Sequence, residues 1–261
     1  MALGMPIVTL TTDWGNGDSY LGRLKGHILS AAPDVVFADI THHVQPFNAL
    51  HAAYILRSTY SCYPKGSIHI VGVNSEPSPF NPIAAMWADG HFFIGANDGM
   101  FSIVLDSEPE EIVLLNSEEK HSGFRALEMM ASAVRCICSR QPLTTIGIET
   151  TLKKELTGKA AYNEDTISGL VTYIDSFGNT ITNITKELFF RVGRGRRFEI
   201  LVQSNFNKIE KVSAYYDDVE MGRMLAIFNS FDLLELAINK GNMAQLESLD
   251  IKSSIRVKFY D

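Results

Sequence analysis

Short apolar runs alternate with helical periodicities along the first 150 residues of the chain. Pro6–Thr11 and Ser67–Val73 are apolar and rich in β-branched side chains, which is typical of buried strands. Ser19–Ala32 instead carries apolar residues at helical spacing until Pro33 ends the pattern. This alternation predicts an α/β N-terminal domain with a mostly parallel sheet. The predicted strands are Pro6–Thr11, Val35–Ile40, Ser67–Val73, Ala84–Ala88, His91–Gly95 and Ile112–Leu115, and the predicted helices are Ser19–Ala32, Asn48–Thr59 and Arg125–Ser139.

The pattern changes after residue 150. Residues 151–166 are polar and lack periodicity, which is typical of a linker. We therefore expect an N-terminal domain over residues 1–150, a linker over 151–166 and a second domain over 167–261. Short apolar runs spaced by about ten residues predict a smaller all-β, barrel-like C-terminal domain. These runs are Ser168–Ile174, Thr180–Ile184, Arg197–Leu201, Lys211–Tyr215, Arg223–Phe228, Leu233–Asn239 and Ile255–Phe259.

Composition narrows the class of protein. The 261 residues are 46% hydrophobic and 20% charged, which excludes a wholly disordered chain, a collagen-like repeat and a disulfide-framework miniprotein. A net charge of −7 disfavours non-specific nucleic-acid binding but does not exclude the binding of a small cationic ligand. The three cysteines are expected to be reduced thiols. With neither a signal-peptide pattern nor a membrane-length apolar run, we expect a cytoplasmic protein with no membrane association.

Polar loops follow the predicted strands of the first domain. Asp13 follows the first strand, at the edge of the sheet where ligands of open α/β sheets bind. Its carboxylate can therefore accept hydrogen bonds from a sugar diol, or it can cap the next helix. Phe47, on a later loop, can stack on a flat ligand. His42 and His43 are adjacent and cannot share one face of a strand, so we expect no metal site there.

Two further loops carry candidate chemistry. Glu76, after the third predicted strand, and His121 can together supply a base that activates water, although an exposed Glu76 can equally be a solvated side chain. Asp175, Phe177 and Asn179 place an acid, an aromatic ring and an amide on one short turn between two strands.

Six segments occur in this order along the chain: Thr11–Gly15, Ala32–Asp34, Asp39–His42, Tyr173–Ile184, Asn229–Ser230 and Leu234–Gly241. Together these segments resemble the S-adenosyl-L-methionine hydroxide adenosyltransferases, hydrolase relatives of the fluorinase and chlorinase enzymes. The resemblance covers nearly the whole chain, and Tyr173–Ile184 is its most specific part.

The resemblance implies a homotrimer that binds S-adenosylmethionine (SAM) as its substrate, with no further cofactor. SAM would lie between the N-terminal domain of one subunit and the C-terminal domain of the next. The implied contacts are Asp13 with the ribose hydroxyls, Phe47 with the sugar, Asn179 and Phe177 with adenine, Asp175 with the methionine ammonium and Ser230 with its carboxylate. Tyr216 is the candidate to stack on adenine, with Tyr215 as the alternative register.

The chain departs from the family pattern where water is activated. The family's aspartate position reads Asn74 and its arginine position reads Asn81, while its histidine position reads His121 or, in another register, Ser122. An asparagine cannot take a proton, so Glu76 and His121 are the candidate substitutes.

The leading hypothesis is a SAM hydrolase that forms adenosine and L-methionine. A SAM- or adenosine-binding protein without turnover is the alternative. A halogenase, with the Ser122 hydroxyl on the halide, is a second alternative.

Overall fold

The computed structural model describes residues 5–116, 124–154, 159–202 and 207–261. The chain divides into two compact units, residues 1–155 and 156–261. Within the described residues, no helix has both the length and the apolar character needed to cross a membrane.

The N-terminal unit is built on a seven-stranded sheet within the described residues. The spatial order of its strands is β2-β1-β3-β5-β4-β6-β7. Its strands are β1 (Ile7–Thr12), β2 (Val36–Thr41), β3 (Ile68–Gly72), β4 (Ile83–Ala88), β5 (His91–Ala96), β6 (Glu111–Leu115) and β7 (Gly147–Glu149). Its helices are α1 (Tyr20–Ala31), α2 (Ala49–Thr59), α3 (Phe101–Val104) and α4 (Ala126–Cys138), with 3₁₀ turns at Tyr60–Cys62 and Leu143–Thr145.

The expectation of a mostly parallel sheet is wrong, because the sheet is mixed. β1 pairs in parallel with β2 and β3, and β3 pairs in parallel with β5. β4 pairs antiparallel with β5 and β6, and β6 pairs antiparallel with β7. The tight turn at Asp89 and Gly90, with positive φ angles of 47° and 75°, forms the hairpin that makes β5 antiparallel to β4.

The core of this unit covers both faces of the sheet. Leu10 and Ile70 are fully buried on the face that packs against α1 and α4, while Val71 and Phe93 are buried with the α2 and α3 side chains on the other. Strands buried on both faces read as continuous apolar runs, which explains why β1 and β3 could be recognised from the sequence.

The C-terminal unit contains a nine-stranded sheet within the described residues, in the order β12-β11-β16-β9-β10-β15-β14-β13, with β8 beside β9. β12 also approaches β14, so the sheet is nearly closed and barrel-like. Its strands are β8 (Ala161–Tyr162), β9 (Thr166–Ile174), β10 (Thr180–Thr185), β11 (Arg197–Val202), β12 (Lys208–Ile209), β13 (Val212–Ser213), β14 (Met224–Phe228), β15 (Leu233–Ile238) and β16 (Ser254–Tyr260).

In the part of this unit that the structure describes, two α-helices depart from the expected all-β pattern. They are α5 (Lys186–Gly193) and the short α6 (Met243–Leu246). The Thr185 hydroxyl caps α5 by accepting from the Leu188 amide at 3.1 Å, a start signal that the strand spacing concealed. The expected strand over Lys211–Tyr215 is only two residues long, because a 3₁₀ turn at Tyr216–Asp218 follows it.

A buried polar chain crosses the centre of the N-terminal sheet. Thr9 Oγ1 lies 2.8 Å from His69 Nδ1, and His69 Nε2 lies 3.2 Å from His91 Nδ1. Both imidazoles are fully buried on neighbouring strands. Burial, followed by the nearby His91, lowers the pKa of His69 to about 3. The neutral imidazole is therefore the form compatible with the fold.

This lowered pKa predicts acid-sensitive folding. The unfolded chain binds a proton at His69 near its ordinary value of 6.5, whereas the folded chain does not until about pH 3. The stabilisation is therefore complete above pH 6.5 and declines as the pH falls, by up to about 1.4 kcal/mol per pH unit. Urea titrations between pH 4 and 7 should show a shallower pH slope of the free energy of unfolding for His69→Phe than for the unchanged protein. Identical slopes would contradict this assignment.

Candidate active site

The loop after β1 joins an acid to an aromatic ring. Asp13 Oδ2 accepts from the Phe47 amide at 2.9 Å, and the Asp13 amide donates to the Gly72 carbonyl at 3.2 Å. Phe47 adopts a left-handed backbone with φ of 61°, and its side chain is 77% exposed. A bulky residue rarely holds this conformation unless its surroundings enforce it. Asp13 therefore holds Phe47 in place rather than capping α1, whose N-cap residue is Ser19.

The loop after β3 is closed by one amide. Asn81 Nδ2 donates to the carbonyl oxygens of Asn74, at 2.5 Å, and Glu76, at 3.3 Å. Asn74 itself has a left-handed backbone, with φ of 47°. The Glu76 side chain is exposed. The Asn81 side chain thus holds the loop through neutral hydrogen bonds.

Two polar atoms of this loop are buried without a hydrogen-bond partner in the described part of the chain. They are Ser75 Oγ, in a residue only 3% exposed, and Asn81 Oδ1. Buried polar groups are normally paired, so these atoms mark a place suited to a polar group that is not part of the described chain. His121 and Ser122 lie outside the described residues.

In the C-terminal unit, Asp175 organises the turn between β9 and β10. Its Oδ1 accepts from the amides of Phe177 and Asn179, both at 2.9 Å, and its Oδ2 accepts from Asn179 Nδ2 at 3.0 Å. Asn179 is buried, while the Phe177 ring is 74% exposed. The turn therefore fixes a carboxylate, a directed amide and a protruding ring beside one another.

Gly178 is essential to this turn. Its φ is 81°, and a Cβ at this position would lie 2.2 Å from the side chain of Asn242. A left-handed backbone strains any L side chain, and here a steric overlap adds to the strain.

An open pocket of about 650 Å³ lies at this turn. It brings together four of the residues predicted from the sequence, namely Asp175, Phe177, Asn179 and Tyr216. Tyr216 rather than Tyr215 lines it, together with Ile238, Asn239, Lys240 and Gly241. Ser230 is exposed on the turn between β14 and β15 and is not among the lining residues.

Sequence reasoning assigned no role to Glu235, a buried carboxylate beside this pocket. It lies on β15, is 4% exposed, and accepts from the Tyr216 phenol at 2.6 Å and from Asn229 Nδ2 at 3.3 Å. Burial raises the pKa of the Glu235 carboxyl, against the lowering effect of these two hydrogen bonds, and Asp175 adds to the rise. A glutamate inside the apolar run Leu233–Ile238 is the signal that could have identified it.

The fold is that of a two-domain protein, and each unit carries polar loops of the kind that bind small molecules. Sequence models of the SAM hydroxide adenosyltransferase N-terminal and C-terminal domains match residues 8–147 and 169–256. The chain therefore belongs to the SAM hydroxide adenosyltransferase family.

Named relatives match over almost the full length. The chain is 26% identical to the (R)-S-adenosyl-L-methionine hydrolase of Methanocaldococcus jannaschii, over 97% of this chain and 96% of that one. It is 24% identical to the fluorinase of Nocardia brasiliensis, over 97% of each chain. The crystal structure of an uncharacterized conserved protein from Thermotoga maritima superposes with a TM-score of 0.81 at 25% identity, over 96% of this chain and 99% of that one.

The Gly178 geometry predicts a graded effect of adding one methyl group. Gly195→Ala places a Cβ in open space at a similar φ of 78°, so it should lower the free energy of unfolding by about 1 kcal/mol through backbone strain alone. Gly178→Ala should cost more, because the overlap with Asn242 adds to the same strain. Urea unfolding of both variants measures the difference. Equal losses would show that the overlap is relieved at no cost.

Proposed function

We propose that this protein is a SAM hydrolase that forms adenosine and L-methionine. The observation that carries the proposal is the pocket in which Asp175, Phe177, Asn179 and Tyr216 converge. A carboxylate suits a ligand ammonium, a directed amide suits a heterocycle edge, and two rings suit a flat base. Family membership and the names of relatives that match over nearly the whole chain support the same activity.

The roles of individual residues belong to this proposal. Asp13 uses its second oxygen to accept from the ribose hydroxyls, and Phe47 packs its exposed ring on the sugar. In the pocket, Asn179 reads the adenine edge, Asp175 pairs with the methionine ammonium, and Ser230 binds the methionine carboxylate from the adjoining turn. The N-terminal residues of one subunit and the C-terminal residues of the next then act on one SAM in a homotrimer. The homotrimer and the cytoplasmic location stay predictions.

The proposed reaction requires few catalytic groups from the protein. Water attacks ribose C5′, an O–C5′ bond forms, and the C5′–S bond breaks with its electron pair moving to sulfur. Methionine leaves as a neutral thioether, so no general acid and no cofactor are required. A proton leaves the attacking water for a nearby base or solvent. The site has to hold water in line with the C–S bond and exclude competing solvent.

The proposed reaction also needs a base that takes a proton from the attacking water. Asn74 and Asn81 cannot accept a proton, and the Asn81 amide is already used to close the loop. Glu76 and His121 are the remaining candidates for activating water. The second candidate function, SAM binding without turnover, is favoured by these two asparagines. A halogenase using Ser122 is a third candidate, favoured by the similarity to a fluorinase.

Incubating the purified protein with SAM and separating the products by chromatography tests the proposal. We expect adenosine and methionine in equal amounts, at a rate above that of SAM alone, and far less from Asp175→Ala. Parallel reactions with chloride and fluoride report on the halogenase, whose product would be a 5′-halo nucleoside. Calorimetric binding of SAM without adenosine would favour the binding protein. Absence of both binding and adenosine would reject all three functions.

Restoring the family residues should speed the reaction. The double variant Asn74→Asp, Asn81→Arg supplies a carboxylate that can take a proton from the attacking water. It also supplies a guanidinium that can hold that water molecule by hydrogen bonds. We expect kcat for adenosine formation to rise by at least about tenfold, within the range typical of general-base catalysis. Asn81→Arg alone is the control, since it loses the loop amide and adds no base. A double variant that folds normally and shows no gain would count against the importance of these positions.

A further inference from the structure

Glu235 occupies a place in the barrel where a carboxylate is costly. β15 pairs it with Ile181 on one side and Ile227 on the other, and its chain neighbours Leu234 and Leu236 are fully buried. An apolar side chain would fit this position more easily, because a buried carboxylate loses its hydration. The hydrogen-bond partners of the carboxylate explain why it is present.

The two oxygens of Glu235 hold two separate loops. Oε1 accepts from the phenol of Tyr216, which begins the 3₁₀ turn after β13 and lines the pocket. Oε2 accepts from Asn229 Nδ2, at the start of the turn between β14 and β15. These loops leave different strands, and the carboxylate is a common point between them.

The orientation of Asn229 makes the second contact specific. Its Oδ1 accepts from the amides of Phe231, at 3.0 Å, and Leu233, at 3.2 Å. With its oxygen engaged by the turn, Asn229 can present only its NH₂ group to Glu235. The turn that carries Ser230 is therefore tied to the same carboxylate that holds the Tyr216 ring.

We propose that Glu235 is a positioning residue for SAM. It holds the Tyr216 ring where it contacts the adenine end of the ligand and holds the Ser230 turn where it contacts the methionine end. This inference rests on the proposed function and deepens it. Glu235 acts through Tyr216 and Asn229 and does not itself line the pocket. Its contribution is therefore to ground-state binding, which alters KM and leaves the reacting centre unchanged.

The test compares steady-state kinetics of adenosine formation in a double-mutant cycle of Tyr216→Phe, Glu235→Leu and both together. We expect Glu235→Leu to raise KM for SAM about tenfold while kcat stays within about twofold, because one carboxylate positions both the Tyr216 ring and the Ser230 turn. Tyr216→Phe should raise KM less, because it removes one of the two hydrogen bonds. The double variant should be no worse than Glu235→Leu alone.

Two further variants separate positioning from stability. Glu235→Gln keeps an acceptor for Tyr216 and faces Asn229 with a second NH₂ group, so its KM should lie between those of Glu235→Leu and the unchanged protein. It also keeps the test valid if Glu235→Leu fails to fold. Thr182→Val is the matched control because Thr182 does not line the pocket. It removes two buried hydrogen bonds: the Thr182 hydroxyl donates to the Leu234 carbonyl, next to Glu235, and accepts from the Ile184 amide. It should lower Tm and leave KM unchanged.

The outcomes are distinguishable. An unchanged KM in Glu235→Leu and Glu235→Gln, with adenosine still formed, overturns the inference and leaves the proposed function standing. Additive effects of Tyr216→Phe and Glu235→Leu would also overturn it. If the unchanged protein binds SAM without turnover, the same predictions apply to Kd from calorimetry. Failure of the unchanged protein to bind SAM overturns both the proposed function and this inference.

Discussion

The parallel pairing of β1 with β2 and β3 is the constraint on which the arrangement of the polar loops in the N-terminal unit depends. Three neighbouring strands that run in one direction end at one edge of the sheet, so the loops that follow them gather there. Asp13 leaves β1 and Asn74 follows β3 at that edge. The hydrogen bond from the Asp13 amide to the Gly72 carbonyl extends the pairing by one residue. β6 runs in the same direction as these strands, and two residues that follow it contact the same loops: the Phe124 ring packs against Trp14, and Arg125 donates to the Pro77 carbonyl.

In each unit a loop carboxylate accepts hydrogen bonds from backbone amides. Asp13 accepts from the amide of Phe47, and Asp175 accepts from the amides of Phe177 and Asn179. In each case an exposed aromatic ring is attached to an amide that the carboxylate holds. Because these hydrogen bonds fix the backbone of the aromatic residues, less conformational freedom is lost when a ligand binds.

Elements with a strong local signal were predictable from the sequence. β1, α1 and β3 follow from apolar runs and periodicity, and the Asp175 turn follows from its acid, glycine and amide. The mixed sheet was missed because the direction of a strand depends on its partners. The dipeptide Asp89-Gly90 is a hairpin signal for β4 and β5, but it does not show how β6 and β7 pair.

The candidate site was predictable only in its loops. That Tyr216 rather than Tyr215 lines the pocket could not be decided from adjacent identical residues. The role of Asn81 was hidden because an amide that closes its own loop has no sequence motif. Glu235 was overlooked because an apolar run was interpreted as core throughout, and its partners Tyr216 and Asn229 reach it only through tertiary folding.

Under the proposed function, the hydrogen bond between Asp13 and the Phe47 amide makes two kinds of ligand contact depend on one side chain. A change at position 13 would then remove the proposed acceptor for the sugar and also release the strained backbone that presents the ring. Polar and apolar contacts to the ligand would then be lost together rather than one at a time. Divergence toward a ligand without a sugar diol would therefore need a new way to hold Phe47 before Asp13 could be replaced.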